Sequence, residues 1–386
     1  MPHSVVVTFD PDRYRDNSAS HIVHALRRNH EFSVDKLTFR SRSELEASQE
    51  RHKETLAAAD VIVHNSFLLY EQARAEVMGI HDEHNAFHAV LNEEISGIAA
   101  AGTSIVLSYN ANLGDSDARA AGIPTVPKIS VDAWKQDPFY PAVFRHKGSW
   151  KGKGIFCIDN YDQFERLLDE GYFQRQPRRW RKQASRLDPD DIDVMRMIDT
   201  PSDFFTHYRV FTAGNGEILG AVLSYSAQKK NAGETVTGIS GILGPDWTQA
   251  YFTPRSPFYL GLRKITSNSS TGGRQITLDP TSDARCITQL EEQILEDHGV
   301  VDQKLPGDLR GYALAIARLY APSGGYALGI DFFQERETKM LGEVNLSPGS
   351  RIFSTLFNNG RHHEDTARRI GGEKIAEAMY RQLHAA

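Results

Sequence analysis

The chain has 386 residues, with 44 lysines and arginines against 50 aspartates and glutamates and a net charge of −6. At roughly 150 residues per domain, that length calls for two or three domains, and the charge balance excludes a global basic field able to hold nucleic acid or an anionic membrane. Hydrophobic residues at 40% and charged residues at 24% are an ordinary globular mix, enough for sizeable cores and against a disordered chain. Cys157 and Cys286 are too few for a disulfide framework or a four-thiolate metal site and are expected to be reduced. The start lacks a signal-peptide pattern and no run of about 18 apolar residues occurs, so a cytoplasmic location is expected.

Residues 1–135 alternate apolar runs with helical spacing, the pattern of βαβ units on a mostly parallel sheet. Ser4 to Phe9 reads as a buried strand, and Ile22, Val23 and Leu26 recur at helical spacing within Ser18 to Asn29. Val61 to Val63 and Ile105 to Leu107 read as further strands, Asn85 to Ala101 as a helix between them, and Ser116 to Ala121 as a short helix. A domain boundary is expected near Ile129 to Asp137. Residues 136–198 then read as a strand, the glycine-rich loop Lys147 to Gly154, an antiparallel strand, a helix and a strand over Val194 to Ile198. Within this region Tyr172 to Asp193 carries six basic residues from Arg175 to Arg186 and then aspartates, which reads as an exposed insertion. In residues 199–386, Tyr208 to Thr212 and Ile218 to Ser224 flank Gly214-Asn215-Gly216, a hairpin signal. Residues 229–283 are rich in Gly, Ser, Thr and Pro and are expected to be irregular.

The most informative stretch is Gly324 to Arg351, GGYALGIDFFQERETKMLGEVNLSPGSR. Two strand-like runs, Tyr326 to Phe333 and Met340 to Asn345, flank the polar turn Glu335 to Lys339. A hairpin centred on Glu337 sets Asp331 opposite Glu343, and period-two alternation adds Asn345 to the same face. Two carboxylates opposed across a ladder repel unless a cation or a shared proton separates them. A divalent metal removes that repulsion, and Mg²⁺ takes an octahedral oxygen shell of one or two carboxylates, water and phosphate. Ile330, Phe332 and Phe333 suggest that the hairpin is central. The loop KGSWKGKG suits the phosphate half of such a site. Gly148, Gly152 and Gly154 let backbone N–H groups approach, and Lys147, Lys151 and Lys153 add charge. It is not a Walker A loop, because Gly-Lys is followed by Gly and a strand.

In this order the N-terminal α/β region, the strand-loop-strand, the linking strand and the acidic hairpin resemble the ATP-grasp superfamily, carboxylate–amine ligase type. Glu343-Val344-Asn345-Leu346-Ser347-Pro348-Gly349 is similar to its E-x-N-x-x-P-G signature, with Gly329-Ile330-Asp331 ahead of it. The resemblance implies an α/β and α+β fold: an N-terminal α/β (pre-ATP-grasp) domain, then a two-lobed ATP-grasp fold. It implies metal ligands at Asp331, Glu343 and Asn345 for two Mg²⁺ ions, with Mn²⁺ as a substitute.

The same resemblance implies ATP contacts at Arg145, where the family commonly has lysine, and at Lys147, Ser149 and Lys153 in the loop. Adenine contacts fall on Arg196, Met197 and Ile198, where the family usually has glutamate before an aromatic residue. His207-Tyr208-Arg209 is similar to the family's D-x-R segment, with His207 in place of the aspartate and Arg209 facing the transferred phosphoryl group or the acceptor carboxylate. Arg351 falls beside the metal face as a second catalytic cation. The implied reaction passes the γ-phosphoryl group of ATP to a carboxylate, and an amine attacks the acyl phosphate, releasing ADP and phosphate. The implied substrates are small-molecule or short-peptide carboxylates and amines, with no membrane or nucleic acid partner and a homodimer left open. A small-molecule phosphotransferase stands as one alternative and a non-catalytic nucleotide-binding regulator as another, the regulator admitted by Arg145, His146 and His207.

Outside these motifs, Lys229 and Lys230 read as contacts for an acidic substrate or as a solvated pair. His81, His84 and His88 read as a solvated helix start rather than a metal cluster, and His362 to Asp365 as a polar helix entrance.

Overall fold

The computed structural model describes residues 2–9, 18–38, 47, 49–65, 94–95, 97–98, 100–108, 115–146, 155–169, 192–230, 273–279, 287–323, 325–345 and 364–385. The fold is mixed α/β, with three sheets among the described residues. The first contains β1 (His3–Phe9), α1 (Ser18–Arg28), β2 (Phe32–Thr38), α2 (Gln49–Ala57), β3 (Val61–Asn65) and β4 (Ile105–Ser108), with strand order β2-β1-β3-β4 and every pair parallel. A parallel sheet buried on both faces reads as continuous apolar runs, which is why β1, β3 and β4 stand out in the sequence; β2, FSVDKLT at the end of the strand order, carries Asp35 and Lys36 and was not expected. Val5, Val7, Val61 and Val63 pack on Ile22, Val23 and Leu26 of α1. Val6, Ile62 and Val106 meet Leu56, Ala59 and Ile95 on the other face. The short helix α3 (Asp115–Ala120) follows.

The second sheet is antiparallel, with order β5-β8-β6-β7. It is formed by β5 (Ile129–Ser130), α4 (Val131–Gln136), β6 (Ala142–His146), β7 (Ile155–Ile158), α5 (Tyr161–Asp169) and β8 (Ile192–Arg196). The fully buried Trp134 anchors it, with ring contacts to Tyr140, Phe144 and Phe164 at 5.6, 5.1 and 4.9 Å. The linking strand starts two residues earlier than expected and ends at Arg196, so Met197 and Ile198 lie beyond it.

The third sheet runs β11-β10-β9-β12-β13 and is antiparallel throughout. Its parts are β9 (Phe204–Ala213), β10 (Glu217–Lys229), β11 (Arg274–Leu278), α6 (Gln289–Asp297), α7 (Gly307–Tyr320), β12 (Ala327–Glu335) and β13 (Thr338–Asn345), followed by α8 (Glu364–His384). One face of it, including Tyr208, Val210, Leu223, Tyr225, Ile330 and Phe332, is sealed by Ile294 and Leu295 of α6 and Leu309, Ala313 and Ile316 of α7.

Three expectations change here. Strand β10 continues to Lys229 instead of ending near Ser224, and β11 lies within a segment expected to be irregular, because five alternating residues make a weak signal. The acidic hairpin has one inner strand, β12, while β13 ends the sheet order among the described residues. Beside β13, Leu341 pairs with the segment before β5, through Val126 N–H to the Leu341 carbonyl (3.0 Å) and Leu341 N–H to the Pro124 carbonyl (2.7 Å).

The hairpin turn is Arg336-Glu337, half a residue from the expected centre, with Glu335 opposite Thr338. The ladder then slips between Phe332, paired with Leu341, and Asp331, paired with Glu343, leaving Gly342 as the extra residue of a β-bulge. A Cβ at Gly342 would stand 2.3 Å from the Phe333 ring, so the bulge needs glycine. Helix α8 returns to pack on α1, with Ile375, Ala376 and Met379 in the first core. The helices approach so closely at Gly372 that a Cβ there would lie 2.6 Å from the His21 carbonyl. No helix among the described residues is long and apolar enough to cross a membrane.

Candidate functional site

The register across β9, β12 and β13 sets Arg209, Asp331 and Glu343 in one row. Alternation puts this row on the face of the sheet opposite Tyr208, Val210, Ile330 and Phe332. Arg209 forks onto Asp331, Nε donating to Oδ1 and Nη2 to Oδ2. The Asn345 amide donates to Asp331 Oδ2 at 3.3 Å. Glu343 accepts a 2.5 Å hydrogen bond from Nη2 of Arg145, which stands on β6 of the second sheet, 198 residues away in sequence. The two antiparallel sheets therefore meet through a guanidinium of one and a carboxylate of the other.

Asp331 is only 6% exposed, so its charge must be compensated inside the protein. From sequence a metal was expected to relieve the carboxylate repulsion, but two arginines already supply the counter-charge. Burial pulls the Arg209 pKa down, and the charge and hydrogen bonds of Asp331, with Glu343 beyond, more than offset this and hold it above its ordinary value. At Arg145 burial again lowers the pKa, while the Glu343 charge and hydrogen bond, then Asp193 and Asp331, raise it above the ordinary value. His207 lies on the same face, with Nε2 4.0 Å from Asp331 Oδ1. Burial pushes its pKa down to about 4, with Asp331 pulling up and Arg209 pushing down, so the imidazole is neutral at pH 7. One atom is left over: Nε of Arg145 is buried and has no acceptor among the described residues. A buried donor without a partner carries its full desolvation cost, and an anionic oxygen placed there would remove it.

The other sequence-predicted residues fall as follows. Strands β6 and β7, which flank the glycine-rich loop in sequence, pair at Arg145 and Ile155. Lys147, Ser149 and Lys153 of that loop lie outside the described residues, as do Arg351, Cys286, residues 170–191, His81, His84, His88, His362 and His363. Arg196 is exposed at the end of β8, three residues along from Asp193, the cross-strand neighbour of Arg145. Met197 and Ile198 follow, half-buried, and Met197 donates its N–H to the Pro141 carbonyl at 3.2 Å and accepts from the Cys157 thiol at 3.8 Å.

Lys229 and Lys230, read either as acidic-substrate contacts or as a solvated pair, are both ion-paired. Lys229 pairs with Asp203 at 2.7 Å, and Lys230 Nζ binds Asp199 Oδ1 at 2.9 Å and the Thr200 carbonyl. Lys230 thus grips the segment that enters the third sheet. The run Asp199-Thr200-Pro201-Ser202-Asp203 held the signal for this, two acids close to a turn.

Sequence reasoning missed a second network on the helix side of β9. There the Thr206 hydroxyl donates to His298 Nε2 (2.8 Å), and His298 Nδ1 and the Tyr208 hydroxyl both donate to Gln334 Oε1 (3.2 and 3.1 Å). No motif announces it, because its members are brought together only by tertiary packing.

Two carboxylates and a carboxamide gathered on one patch are the donor set of a hard divalent cation. Among the described residues no three His, Cys, Asp or Glu side chains converge, and Asn345, whose amide donates to Asp331 Oδ2, is the neighbouring group with an oxygen to add to the two carboxylates. The donors fit magnesium, and the unpaired Arg145 N–H fits a phosphate oxygen.

No protein-family model and no curated protein matches the sequence. Solved structures match remotely. A D-alanine–D-alanine ligase from Bacillus anthracis complexed with ATP is 11% identical over 98% of this chain and 95% of that one, with a TM-score of 0.42. The ATP-grasp ligase PsnB, complexed with precursor peptide PsnA2 and AMPPNP, is 11% identical over 98% and 97%, with a TM-score of 0.48. N5-carboxyaminoimidazole ribonucleotide synthetase from Thermus thermophilus is 10% identical over 91% and 73%, with a TM-score of 0.38. At that degree of likeness no residue role transfers.

Proposed function

We propose that this chain is an ATP-dependent carboxylate–amine ligase of the ATP-grasp type, built as domains 1–135, 136–198 and 199–386 with β5 and α4 going to the second because they complete its sheet and core, and that the triphosphate lies between the second and third sheets. The observation that carries the reading is the meeting of Arg145 from one antiparallel sheet with the Arg209–Asp331–Glu343 row of another, with a buried guanidinium N–H still lacking an acceptor. Asp331, Glu343 and Asn345 would hold two magnesium ions, which when bound neutralise charge along the phosphates. Arg145 takes phosphate oxygens, Lys147, Ser149 and Lys153 complete the phosphate contacts, and Arg196, Met197 and Ile198 border the adenine. Arg209 keeps Asp331 oriented and faces the transferred phosphoryl group, and Arg351 adds a second cation there.

In the proposed reaction a substrate carboxylate oxygen bonds to the γ-phosphorus as the bond to the β-phosphate oxygen breaks and ADP leaves. An amine nitrogen then bonds to the acyl carbon, the carbon–oxygen bond to phosphate breaks, and the nitrogen loses a proton. No side-chain nucleophile is required, because phosphoryl transfer is accelerated by positioning and charge stabilisation. The test is a screen of carboxylic acids and amines, small molecules and short peptides, for ATP consumption by the purified protein. Amine-dependent release of ADP and phosphate in equal amounts supports the ligase. ADP with a stable phosphorylated product makes the protein a phosphotransferase, and nucleotide binding without turnover makes it a regulator; either result overturns the ligase reading.

A further inference from the structure

We infer that Arg145 couples the two ligands of this site: without nucleotide it serves Glu343 as an internal cation, and it yields that carboxylate to a divalent metal when phosphate oxygens take its guanidinium. This rests on the nucleotide-and-metal reading above and adds the dependence of one ligand on the other. Asp331 and Glu343 are matched by Arg209 and Arg145, so the four groups carry no net charge. A divalent ion arriving alone must push an arginine off its carboxylate; for Arg145 that removes its hydrogen-bonded counter-charge and leaves only the weaker pull of Asp193 and Asp331, which a buried setting penalises.

The two pairs are not equally firm. Arg209 makes a two-pronged contact with Asp331, whose side chain is 9% exposed, whereas Arg145 reaches Glu343 through one nitrogen, and that carboxylate is 36% exposed. Arg145 also keeps Nε free of any acceptor among the described residues. A planar guanidinium can therefore receive a phosphate oxygen at Nε while Nη2 still holds Glu343, and then exchange the second contact without a step in which either charge is bare. An ammonium at this position lacks that fork.

The experiment titrates Mn²⁺ into the full chain without nucleotide, counting free ion by electron paramagnetic resonance. Arg145→Met is expected to bind Mn²⁺ about tenfold more tightly than wild type, the reverse of what loss of a merely structural residue would do. Adding Glu343→Gln to it should abolish the gain, and Arg145→Lys, which keeps the charge, should stay near wild type. Arg145→Gln gives the same readout if the methionine variant does not fold. Unchanged or weaker Mn²⁺ binding in the folded variant overturns the coupling. Equilibrium dialysis of wild type with Mn²⁺ and a labelled non-hydrolysable ATP analogue tests the underlying reading separately: no retained analogue sinks the nucleotide site itself, whereas retention without the Arg145 effect sinks only the coupling.

Discussion

On the helix side of β9, Thr206 and Tyr208 join His298 and Gln334 through neutral hydrogen bonds, while on its other side Arg209 faces Asp331, with Glu343 and Arg145 beyond. Both networks are largely buried, yet they meet the cost of burial differently. A neutral network is satisfied once, by partners that have nowhere else to go, and so it fixes α6 and the hairpin to β9. A charged network tolerates a change of partner so long as every charge remains matched. The first therefore belongs to stability, and the second can be spent on a ligand.

The largest effect on activity is expected from Glu343→Gln. The amide keeps the shape and can still accept from Arg145, but the charge is gone, and turnover should fall by about three orders of magnitude. Glu343 is partly exposed and the amide keeps an acceptor for Arg145, but the buried guanidinium loses its nearest counter-charge, so urea unfolding should register a loss of about 1–2 kcal/mol. Turnover within tenfold of wild type would break the assignment of this face to chemistry. The largest stability effect belongs to Arg209→Met, which leaves Asp331 buried beside a neutral His207. A loss of about 3–5 kcal/mol is expected, and a loss below about 1 kcal/mol would mean that Arg209 is not what holds the Asp331 charge.

The acidic hairpin was legible because its register is local: two residues separate the strands, and alternation fixes which side chains share a face. Its turn was misplaced because the Gly342 bulge, invisible to a period-two reading, shifts the ladder between the turn and Asp331. Three of the four parallel strands of the first sheet showed as apolar runs, whereas β2, with Asp35 and Lys36 in it, did not, and Arg274 to Leu278 could not be told from its glycine- and serine-rich surroundings. The arginines opposite the carboxylates lie 122 and 198 residues away, and no local pattern sets such a distance. Repulsion between Asp331 and Glu343 could be foreseen from sequence, but not the guanidinium paired with each of them.

A pH series sharpens the neutral side of the comparison. Burial pushes the His298 pKa down to about 4 from an ordinary 6.5; Gln334 and Asp297 pull it up, and Lys230 and Lys339 push it further down. The unfolded chain therefore takes up a proton near pH 6.5 that the folded protein refuses until about pH 4. Stability from this group is complete above the unfolded value and is lost as pH falls across that window, by up to about 3 kcal/mol. His298→Gln should flatten the decline relative to wild type in denaturant titrations from pH 7 to pH 4. Parallel slopes would show that His298 is already charged in the fold.

The smallest effect expected is that of Thr206→Val, which keeps the shape and removes one hydroxyl. It leaves His298 Nε2 buried without its donor, and the unfolding free energy should drop by about 1–2 kcal/mol. The Michaelis constant for ATP and the turnover number should not move, because the sheet itself separates Thr206 from the Arg209–Asp331 row. Combining Thr206→Val with Arg209→Met is the sharper form of the test: independent faces give stability losses that add within about 0.5 kcal/mol. A larger discrepancy would mean that β9 transmits strain between its faces, in which case the neutral network is part of the functional apparatus and the division drawn between the two no longer holds.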